Sequence, residues 1–386
     1  MKYTLLGDIA KISSGGTPDR SNPAYWGGTI PWVKTGEIQF GIIRNAEEKI
    51  TPLALAESSA KLVPADSLLM AMYGQGKTRG QVALLGIEAA INQACAAISP
   101  HDVQDSRYLF QFLAANYENV RRLSNSGSQE NLNAELIRNI RLFYPAKPER
   151  EKIADILGTW DEALEKLDAL IAAKDRRKQA LMQQLLTGQR RLPMSAGPLG
   201  FIRASEIFTN RTERNSRGAP ILSVTQDQGV VFRDTLDRKI AHDTETNDTY
   251  KVVHPGDYII SLRSFQGGLE YSEILGAVSP AYHVIHPTKE IDCEFFRHYF
   301  KSADFVSRLA VAVIGIRDGK QISFADFGFI KLPYPHIDDQ KRIGQLLSTA
   351  DVELHLLRQQ RAALDQQKRG LMQQLLTGEK RVTPAP

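Results

Sequence analysis

One eight-residue segment of this chain occurs twice, and the repeat limits the folds that the chain can adopt. Residues 181–188 and residues 371–378 both read LMQQLLTG. An ungapped comparison of residues 145–188 with residues 335–378 gives 19 identities in 44 positions, at a constant offset of 190. The 386 residues therefore divide into two similar halves, each a globular stretch followed by one copy of the repeated segment.

Both copies place apolar residues at alternating spacings of four and three. This spacing puts ten positions on one stripe of a helix, and eight of the ten are apolar in each copy. The pattern persists for about five heptads, which is typical of a coiled-coil seam rather than of an ordinary amphipathic helix. The apolar members are Ile153, Leu157, Trp160, Leu164, Leu167, Ile171, Leu181 and Leu185 in the first copy, and Ile343, Leu347, Ala350, Leu354, Leu357, Leu364, Leu371 and Leu375 in the second.

Each copy is therefore predicted to form one long helix. Pro145 and Pro335 lie just before the two helix starts, and Gly188 and Gly378 stand at the C-cap positions. The roughly 38 residues between proline and glycine would span about 57 Å at 1.5 Å per residue. A narrow apolar stripe of this length needs a partner, so we expect the two helices to pack against each other. The alternative is two independent helices, each packed on its own domain.

Four basic residues interrupt the stripe in its later half. They are Lys174, Lys178, Arg361 and Lys368. Either they weaken the helix pairing locally, or they reach phosphates or acidic residues of a partner.

The stretches that precede the helices predict short strands with a few helices. LVPADSLLMAMY and AINQACAAISP in the first half correspond to VVHPGDYIISLR and AVSPAYHVIHP in the second. The predicted fold class is α+β, with two repeated mixed α/β domains and two long helices. The predicted domains are globular regions 1–144 and 201–335, long helices 145–188 and 336–378, a linker 189–200, and a tail 379–386 that we expect to be disordered.

Composition places the chain among ordinary globular proteins. The net charge is +4, and the globular stretches are nearly balanced, with 14 basic against 13 acidic residues in 1–144 and 16 against 17 in 201–335. Any nucleic-acid binding therefore requires basic residues to be sorted onto one face. The sequence shows neither an apolar run of 18 residues nor a signal-peptide pattern, so we expect a cytoplasmic protein without membrane contact.

The sequence offers little support for catalysis. The run GQGKTRG at 74–80 is not a phosphate-binding P-loop, because Ala71 occupies the position of the first glycine and a strand-like segment follows. No HExxH, GxSxG or Asn/Asp-Pro-Pro-aromatic motif is present, and the eight histidines show no ligand spacing. We expect no metal site, and we expect Cys95 and Cys293 to be buried structural thiols.

The loops carry the side chains that read DNA. Arginine and lysine suit guanine edges and phosphates, whereas asparagine and glutamine suit adenine edges. Candidates in the first half are Thr17, Arg20, Asn22, Tyr25, Trp26, Tyr73, Gln75, Lys77, Thr78, Arg79, Gln129, Asn131 and Asn133. Candidates in the second half are Arg211, Arg214, Asn215, Arg217, Arg263, Ser264, Phe265, Gln266, Arg317, Lys320 and Gln321. Two clusters recur at equivalent repeat positions, which favours recognition over the alternative that these loops are merely solvated.

These residues together resemble the specificity subunits of type I restriction-modification systems. The resemblance lies in GDIAKISSGGTP followed by NPAYWGG and IPWVK, the strands around LVPADSLLM and AINQACAAI, the segment NLNAELIRNI, and the helix ends EREKIADIL and LMQQLLTG. It implies two target recognition domains separated by two long helices that pack antiparallel as a coiled coil, with pseudo-twofold symmetry.

The resemblance also implies a non-catalytic role. Each recognition domain would read one half of a bipartite target in double-stranded DNA, while the helices would set the spacer and bind two methyltransferase subunits. The methyltransferase would carry S-adenosylmethionine, and restriction subunits would use ATP and Mg. Polar residues on the helices that we expect to be free for the methyltransferase are Asp168, Lys174, Arg176 and Arg177.

Two other functions are compatible with the sequence. One is a DNA-binding adaptor of another defence or phase-variation system on the same scaffold. The other is a coiled-coil assembly protein with no nucleic-acid role, which retention on duplex DNA in the presence of its partner would exclude.

Overall fold

A computed structural model describes residues 3–74, 77–123, 131–195, 197, 199–215, 218–226, 228–236, 247–313 and 322–383. The chain forms two compact units. Unit 1 comprises Met1–Asp168 together with Gln360–Pro386, and unit 2 comprises Ala169–Gln359. Each unit thus contains one globular region and part of both long helices.

The helices of the described chain are, in order, α1 (Leu6–Ile9), α2 (Pro52–Glu57), α3 (Ser106–Ala115), α4 (Tyr117–Arg122), α5 (Ala134–Arg138), α6 (Lys147–Leu186), α7 (Ala204–Ile207), α8 (Ser264–Gly267), α9 (Cys293–Tyr299), α10 (Ala303–Val313), α11 (Phe324–Phe329) and α12 (Ile337–Leu376). The repeated segments form α6 and α12, each of 40 residues, so the prediction of one long helix per copy is confirmed. Both helices are followed by a glycine with positive φ, Gly188 at 76° and Gly378 at 78°, as the predicted C-caps require.

The strands of unit 1 are β1 (Tyr3–Leu5), β2 (Ala10–Ser14), β3 (Trp26–Val33), β4 (Ile42–Ile43), β5 (Glu48–Ile50), β6 (Leu62–Val63), β7 (Leu68–Ala71), β8 (Val82–Leu85), β9 (Ala89–Ile91), β10 (Cys95–Pro100) and β11 (Arg141–Phe143). They form a sheet in the order β2-β10-β7-β8-β4, a second sheet in the order β5-β3-β9-β6, and the pair β1-β11.

The strands of unit 2 are β12 (Gly200–Arg203), β13 (Phe208–Arg211), β14 (Leu222–Thr225), β15 (Gly229–Phe232), β16 (Lys251–Val253), β17 (Tyr258–Ile260), β18 (Glu270–Tyr271), β19 (Gly276–Val278), β20 (His283–Pro287) and β21 (Lys331–Tyr334). Their main sheet has the order β13-β20-β17-β18, and the pairs β12-β21, β14-β15 and β16-β19 complete the unit.

The two units repeat one pairing scheme. In unit 1, β10 lies between β2 and β7 and is antiparallel to both, and in unit 2, β20 lies in the same way between β13 and β17. β7 and β17 come from the two sequence segments that were aligned as repeats, LLMAMY and YIISLR. The predicted repetition of a mixed α/β framework is therefore confirmed at the level of strand order.

Both ends of the long helices contribute to a globular core. Ile153 and Leu157 of α6 join Leu375 of α12 in the unit 1 core, against α3 and the main sheet. In unit 2, Leu185 of α6 and Ile343 of α12 belong to the core that contains α9 and α11. These stripe positions were predicted as seam residues, but they also serve the globular cores, because each helix end contacts its own α/β region.

The middle of the stripe is shielded as expected for a seam. All predicted seam residues are buried or half-buried, and Leu164, Leu167 and Leu354 are at most 8% exposed. In unit 1, Asp161 pairs with Lys368 (2.5 Å) and Asp168 pairs with Arg361 (3.1 Å). Partner numbers fall along α12 as they rise along α6, so the helices are antiparallel there.

The same direction holds in unit 2. Lys174 pairs with Glu353 at 2.5 Å, and Lys178 pairs with Asp351. All four basic residues that interrupt the stripe therefore form ion pairs across the two helices. They pair the helices rather than weaken the contact, so packing of the helices on each other is confirmed within each unit.

A polar cluster links these ion pairs to the globular region of each unit. In unit 1, Gln111 of α3 donates to Asp161, the partner of Lys368. In unit 2, His298 of α9 lies with its Nδ1 3.7 Å from an oxygen of Asp351, the partner of Lys178. Asp161 and Asp351 are 190 residues apart, as are Lys178 and Lys368, so the repeat extends to individual contacts.

The tail differs from the prediction. Residues 379–383 are described and pack against the start of α6. The Arg381 guanidinium donates from Nε and Nη2 to the carboxylate of Glu149 (2.7 and 2.6 Å), and this contact lowers the pKa of Glu149. The expectation of a disordered tail is thus wrong for Glu379–Thr383, because a buried carboxylate on α6 binds it.

Candidate nucleic-acid interface

The first candidate surface in unit 1 follows strand β7. The Leu132 N–H donates to the Met72 carbonyl (3.1 Å), so the segment before α5 lies beside the loop after β7. The side chains of Tyr73, Lys77 and Asn131 are exposed, and within the described residues they make no polar contact. The structure thus brings together two sequence clusters that were predicted separately.

Helix α4 supports this loop and adds basic residues that the sequence analysis did not single out. The Tyr117 hydroxyl donates to the Lys77 carbonyl, and its ring packs edge-to-face on Phe40 with centroids 5.1 Å apart. Arg121 lies over the Tyr117 ring at 5.4 Å, and Arg122 is exposed. The doublet of arginines at the end of a helix was the available signal, but only the fold shows that α4 lies beside residues 77–80.

The loop that opens the chain is held by its own polar side chains. Arg20 stacks on the Trp26 ring at 3.9 Å and pairs with Glu48, whose pKa it lowers. Trp26 Nε1 donates to the Asp19 carbonyl (3.1 Å), and the Tyr25 hydroxyl donates to Glu57 (2.9 Å). Most of the predicted recognition groups in this loop therefore fix its conformation, and Arg20 remains half exposed.

Two further predicted residues of unit 1 are helix caps. Asn22 Oδ1 accepts the Ala24 N–H (3.0 Å), and Asn133 Oδ1 accepts the Leu136 N–H at the start of α5 (2.8 Å). Asparagine is favoured at these positions because its side chain satisfies a free backbone donor. Thr17 and Thr78 are half-buried.

Gly15 and Gly16 allow the opening loop to approach the second sheet closely. A Cβ atom on Gly15 would lie 2.1 Å from the Ile91 carbonyl oxygen, and one on Gly16 would lie 2.4 Å from the Ser59 carbonyl. The Trp32 Nε1 donates to the Gly16 carbonyl (3.0 Å) from within the core. A larger residue at either glycine would displace the whole loop.

In unit 2, the equivalent surface follows strand β17. We call residues 263–268 the reading turn. The side chains of Arg263 and Gln266 are exposed and have no polar partner in the part of the chain that the structure describes, whereas Phe265 packs against the core. Ser264 is 1% exposed, and its Oγ accepts the Ser261 N–H (2.9 Å), so this residue shapes the turn and is not available to a ligand.

Other predicted residues of unit 2 are used internally. Arg211 forms a two-point contact with Asp257, Nε to Oδ2 at 2.8 Å and Nη2 to Oδ1 at 3.0 Å, and Asp257 is 2% exposed. Asn215 is 1% exposed and bonds through its amide to both backbone groups of Ala219. The prediction that Arg211 and Asn215 are free for DNA is therefore wrong, whereas Arg214 is exposed.

Some candidates are not addressed by the structure or have LEFT contacts of other kinds. Arg79 is half-buried beside the 77–80 turn and engages neighbouring groups. The candidates that lie outside the described residues are Gln75, Gln129, Arg217, Arg317, Lys320 and Gln321.

The helix residues predicted to bind a partner fall into two groups. Asp168 pairs with Arg361 and Lys174 pairs with Glu353, so the helix pairing does not leave these two free as expected. Arg176 and Arg177 are exposed, and no described residue bonds to their side chains.

The described residues provide no cluster of three or more His, Cys, Asp or Glu side chains that could hold a metal ion. Both cysteines are free thiols, and burial raises the pKa of Cys95 to about 12, which keeps it protonated. None of the described helices is long and apolar enough to cross a membrane.

Comparison with known proteins gives a consistent family. Residues 1–173 match the family model described as the type I restriction modification DNA specificity domain. The EcoR124I/EcoR124II specificity subunit of Escherichia coli is 26% identical over 167 residues, which are 42% of this chain and 41% of that protein. The MjaIX specificity subunit of Methanocaldococcus jannaschii is 27% identical over 163 residues, 41% of this chain and 37% of that protein.

These two matches therefore span about two-fifths of the length of each relative. A longer match is to the MjaVIII specificity subunit of the same archaeon, 21% identical over 403 residues, which covers 98% of this chain and 92% of that protein.

Two solved structures share the fold. The S subunit of a type I restriction-modification system from M. genitalium has a TM-score of 0.58 at 15% identity, covering 97% of this chain and 96% of its own. A chain from a study of complex assembly and conformational transition of the type I R-M system also has a TM-score of 0.58 at 15% identity, with 98% of both chains covered. Residues 1–173 thus belong to the family of type I restriction modification DNA specificity domains, and the whole chain resembles the specificity subunits of type I restriction enzymes in sequence and fold.

Proposed function

We propose that this chain is the DNA-recognition subunit of a type I restriction-modification enzyme. Each α/β region reads one half of a bipartite target in double-stranded DNA, and the chain itself carries no catalytic centre. Methyl transfer belongs to methyltransferase subunits that bind S-adenosylmethionine, and cleavage belongs to restriction subunits that use ATP and Mg.

One observation carries the proposal. The loops after the equivalent strands β7 and β17 occupy the same place in two repeated frameworks, yet they present different side chains. Unit 1 exposes Tyr73 and Lys77 beside Asn131, whereas unit 2 exposes Arg263 and Gln266. A constant framework with divergent exposed loops is expected when two modules bind the same kind of ligand but read different sequences.

The exposed groups suit duplex DNA. Arg263 can bind the O6 and N7 atoms of guanine with two hydrogen bonds, and Gln266 or Asn131 can bind N6 and N7 of adenine. Lys77 together with Arg122 of α4 can neutralise phosphates, which fixes the position of unit 1 on the duplex without reading sequence.

The helices have a separate role. Their facing sides are used by the seam and the inter-helix ion pairs, and Arg176 and Arg177 are exposed on α6. We infer that the outer faces bind the methyltransferase subunits and that the helix length sets the spacer between the two half-sequences.

The test is a comparison of methylated sites across the host genome. Deletion of the gene should abolish methylation at one bipartite motif, and the full chain supplied from a plasmid should restore it. Tyr73→Ala with Lys77→Ala should then alter one half of the motif, and Arg263→Ala should alter the other half. Unchanged methylation after deletion, or methyl transfer by the purified chain alone, would refute the proposal.

A further inference from the structure

We propose that Lys301 is a positioning residue for sequence readout: it fixes the reading turn of unit 2 from below, while Gln226 fixes it from the side. The inference rests on the proposed function, since it concerns how one recognition surface achieves its specificity. Neither residue stands out in the sequence, because neither lies in a loop that presents free side chains.

Lys301 joins the end of the reading turn to the sheet. Its ammonium donates to the Gly267 carbonyl (3.1 Å) and forms an ion pair with Glu270, which is 4% exposed. Glu270 belongs to β18 and pairs in register with Ile259 of β17, the strand that leads into the turn. A single ammonium therefore ties the last part of the turn to the strand pair beneath it.

The turn also has no room to move towards the core. Gly268 has φ of 79°, and a Cβ atom there would lie 1.8 Å from the carbonyl oxygen of Phe300, the residue before Lys301. The Gly268 N–H donates to the Ser264 carbonyl (2.9 Å). The segment around residue 300 thus holds the turn through close packing at Gly268 and through the lysine at Gly267.

Gln226 supports the opposite end of the turn. It follows β14 at the tip of the β14-β15 hairpin, and its Nε2 donates to the Arg263 carbonyl (3.1 Å). The Ser264 hydroxyl accepts the Ser261 N–H (2.9 Å) at the same end. Backbone groups at both ends of the reading turn therefore have side-chain partners from other segments of unit 2.

The side chains of the turn have the opposite character. Arg263 and Gln266 are exposed, and among the described residues neither makes a side-chain hydrogen bond. A held backbone with free arginine and glutamine side chains favours direct readout, because two-point recognition of a base edge requires the donor groups to be placed before binding. We assign the reading turn to a part of the half-sequence that contains guanine or adenine.

The support is specific to unit 2. The corresponding loop of unit 1 is held by the Tyr117 hydroxyl at the Lys77 carbonyl, without a buried lysine–carboxylate pair at that position among the described contacts. Loss of Lys301 should therefore affect one half-sequence only. A purely structural role would instead lower the amount of folded protein and reduce methylation at every site equally.

The experiment compares four forms of the full chain in the host from which its gene has been deleted, with methylated sites sequenced across the genome. Lys301→Met removes the ammonium and retains much of the aliphatic stem. Lys301→Arg retains the charge. Lys301→Met with Glu270→Gln also removes the buried carboxylate charge, so that folding is less affected, while the contact to the Gly267 carbonyl remains lost. Lys331→Met, on the exposed edge strand β21, is the matched control.

We expect Lys301→Met and the double variant to lose discrimination by about tenfold or more at one or more base pairs of a single half-sequence, the half that Arg263→Ala also alters. The other half should keep its sequence, Lys301→Arg should recover most of the discrimination, and Lys331→Met should match the unsubstituted chain. Gln226→Ala should relax the same half.

An unchanged motif in the double variant, or equal loss in both halves, would overturn the inference. Failure of the proposed function would look different, since the unsubstituted chain would then restore no motif at all.

Discussion

The start of α6 contains a buried ion pair whose removal should destabilise unit 1. Arg150 is 7% exposed, and its Nε lies 2.6 Å from Oδ1 of Asp105, which is 2% exposed. Its Nη1 donates to the Pro145 carbonyl (2.7 Å), and its guanidinium lies 3.9 Å from the centroid of the Tyr144 ring. One side chain therefore joins the helix start to the turn that precedes it and to the residue before α3.

Arg150→Met removes the cation and leaves the Asp105 carboxylate in the core without its partner. Breaking a buried pair in this way costs about 3–5 kcal/mol. For a unit of this size, each kcal/mol lowers the midpoint of thermal unfolding by about 2–4 °C, so the transition of unit 1 should fall by roughly 6–20 °C. Arg107→Met is the matched control, because Arg107 pairs with Asp155 (2.8 Å) while both side chains are more than half exposed, which is worth at most about 1 kcal/mol.

The assay is differential scanning calorimetry of the intact chain. A shift for Arg150→Met no larger than that of Arg107→Met would refute the reasoning. Arg150→Gln provides a second check, because unit 2 has Gln340 at the equivalent position, where its Nε2 donates to the Pro335 carbonyl (2.9 Å). Glutamine should recover the carbonyl contact but not the charge, so its loss of stability should lie between those of Arg150→Met and the unsubstituted chain.

Three further predictions follow from the helix pair and its neighbours. Burial lowers the pKa of His298, so the unfolded state binds a proton that the folded state does not, and unit 2 should lose stability as pH falls through about 6.5; His298→Gln, which copies Gln111, should flatten this dependence in calorimetric scans between about pH 7.5 and 5.5. Arg176→Glu with Arg177→Glu should reduce co-purification with the methyltransferase while both unfolding transitions persist, and undiminished recovery would contradict a docking role. One added heptad in each long helix, about 10.5 Å, should lengthen the spacer by about three base pairs and leave both half-sequences unchanged; altered half-sequences with the old spacer would contradict this.

The long helices could be predicted from sequence because their signal is periodic and local. The stripe, the flanking prolines and the terminal glycines all depend on residues close in sequence, and the structure has α6 and α12 where these signals place them. The two uses of the stripe could not be separated in advance. Leu157 and Leu164 have the same residue type and register, but only Leu157 also belongs to the unit 1 core.

The loops were predicted less well because the partner of a polar side chain is remote in sequence. Arg211 and Arg263 are both arginines in polar segments, yet Arg211 bonds to Asp257, 46 residues away, whereas Arg263 is exposed. Nothing local to Arg211 distinguishes a buried ion pair from a free recognition group. For the same reason Lys301 was overlooked, since its contacts with Gly267 and Glu270 exist only after the sheet has formed.

The division of the chain into units has a consequence for synthesis on the ribosome. Unit 2 is one continuous stretch, Ala169–Gln359, whereas unit 1 needs Gln360–Pro386 in addition to the first 168 residues. Met372, Leu375 and Leu376 are part of the unit 1 core, so that core stays incomplete until the last residues leave the exit tunnel. The half that is translated first is therefore the half that closes last, and a messenger truncated near its end would damage the first-made domain while sparing the second.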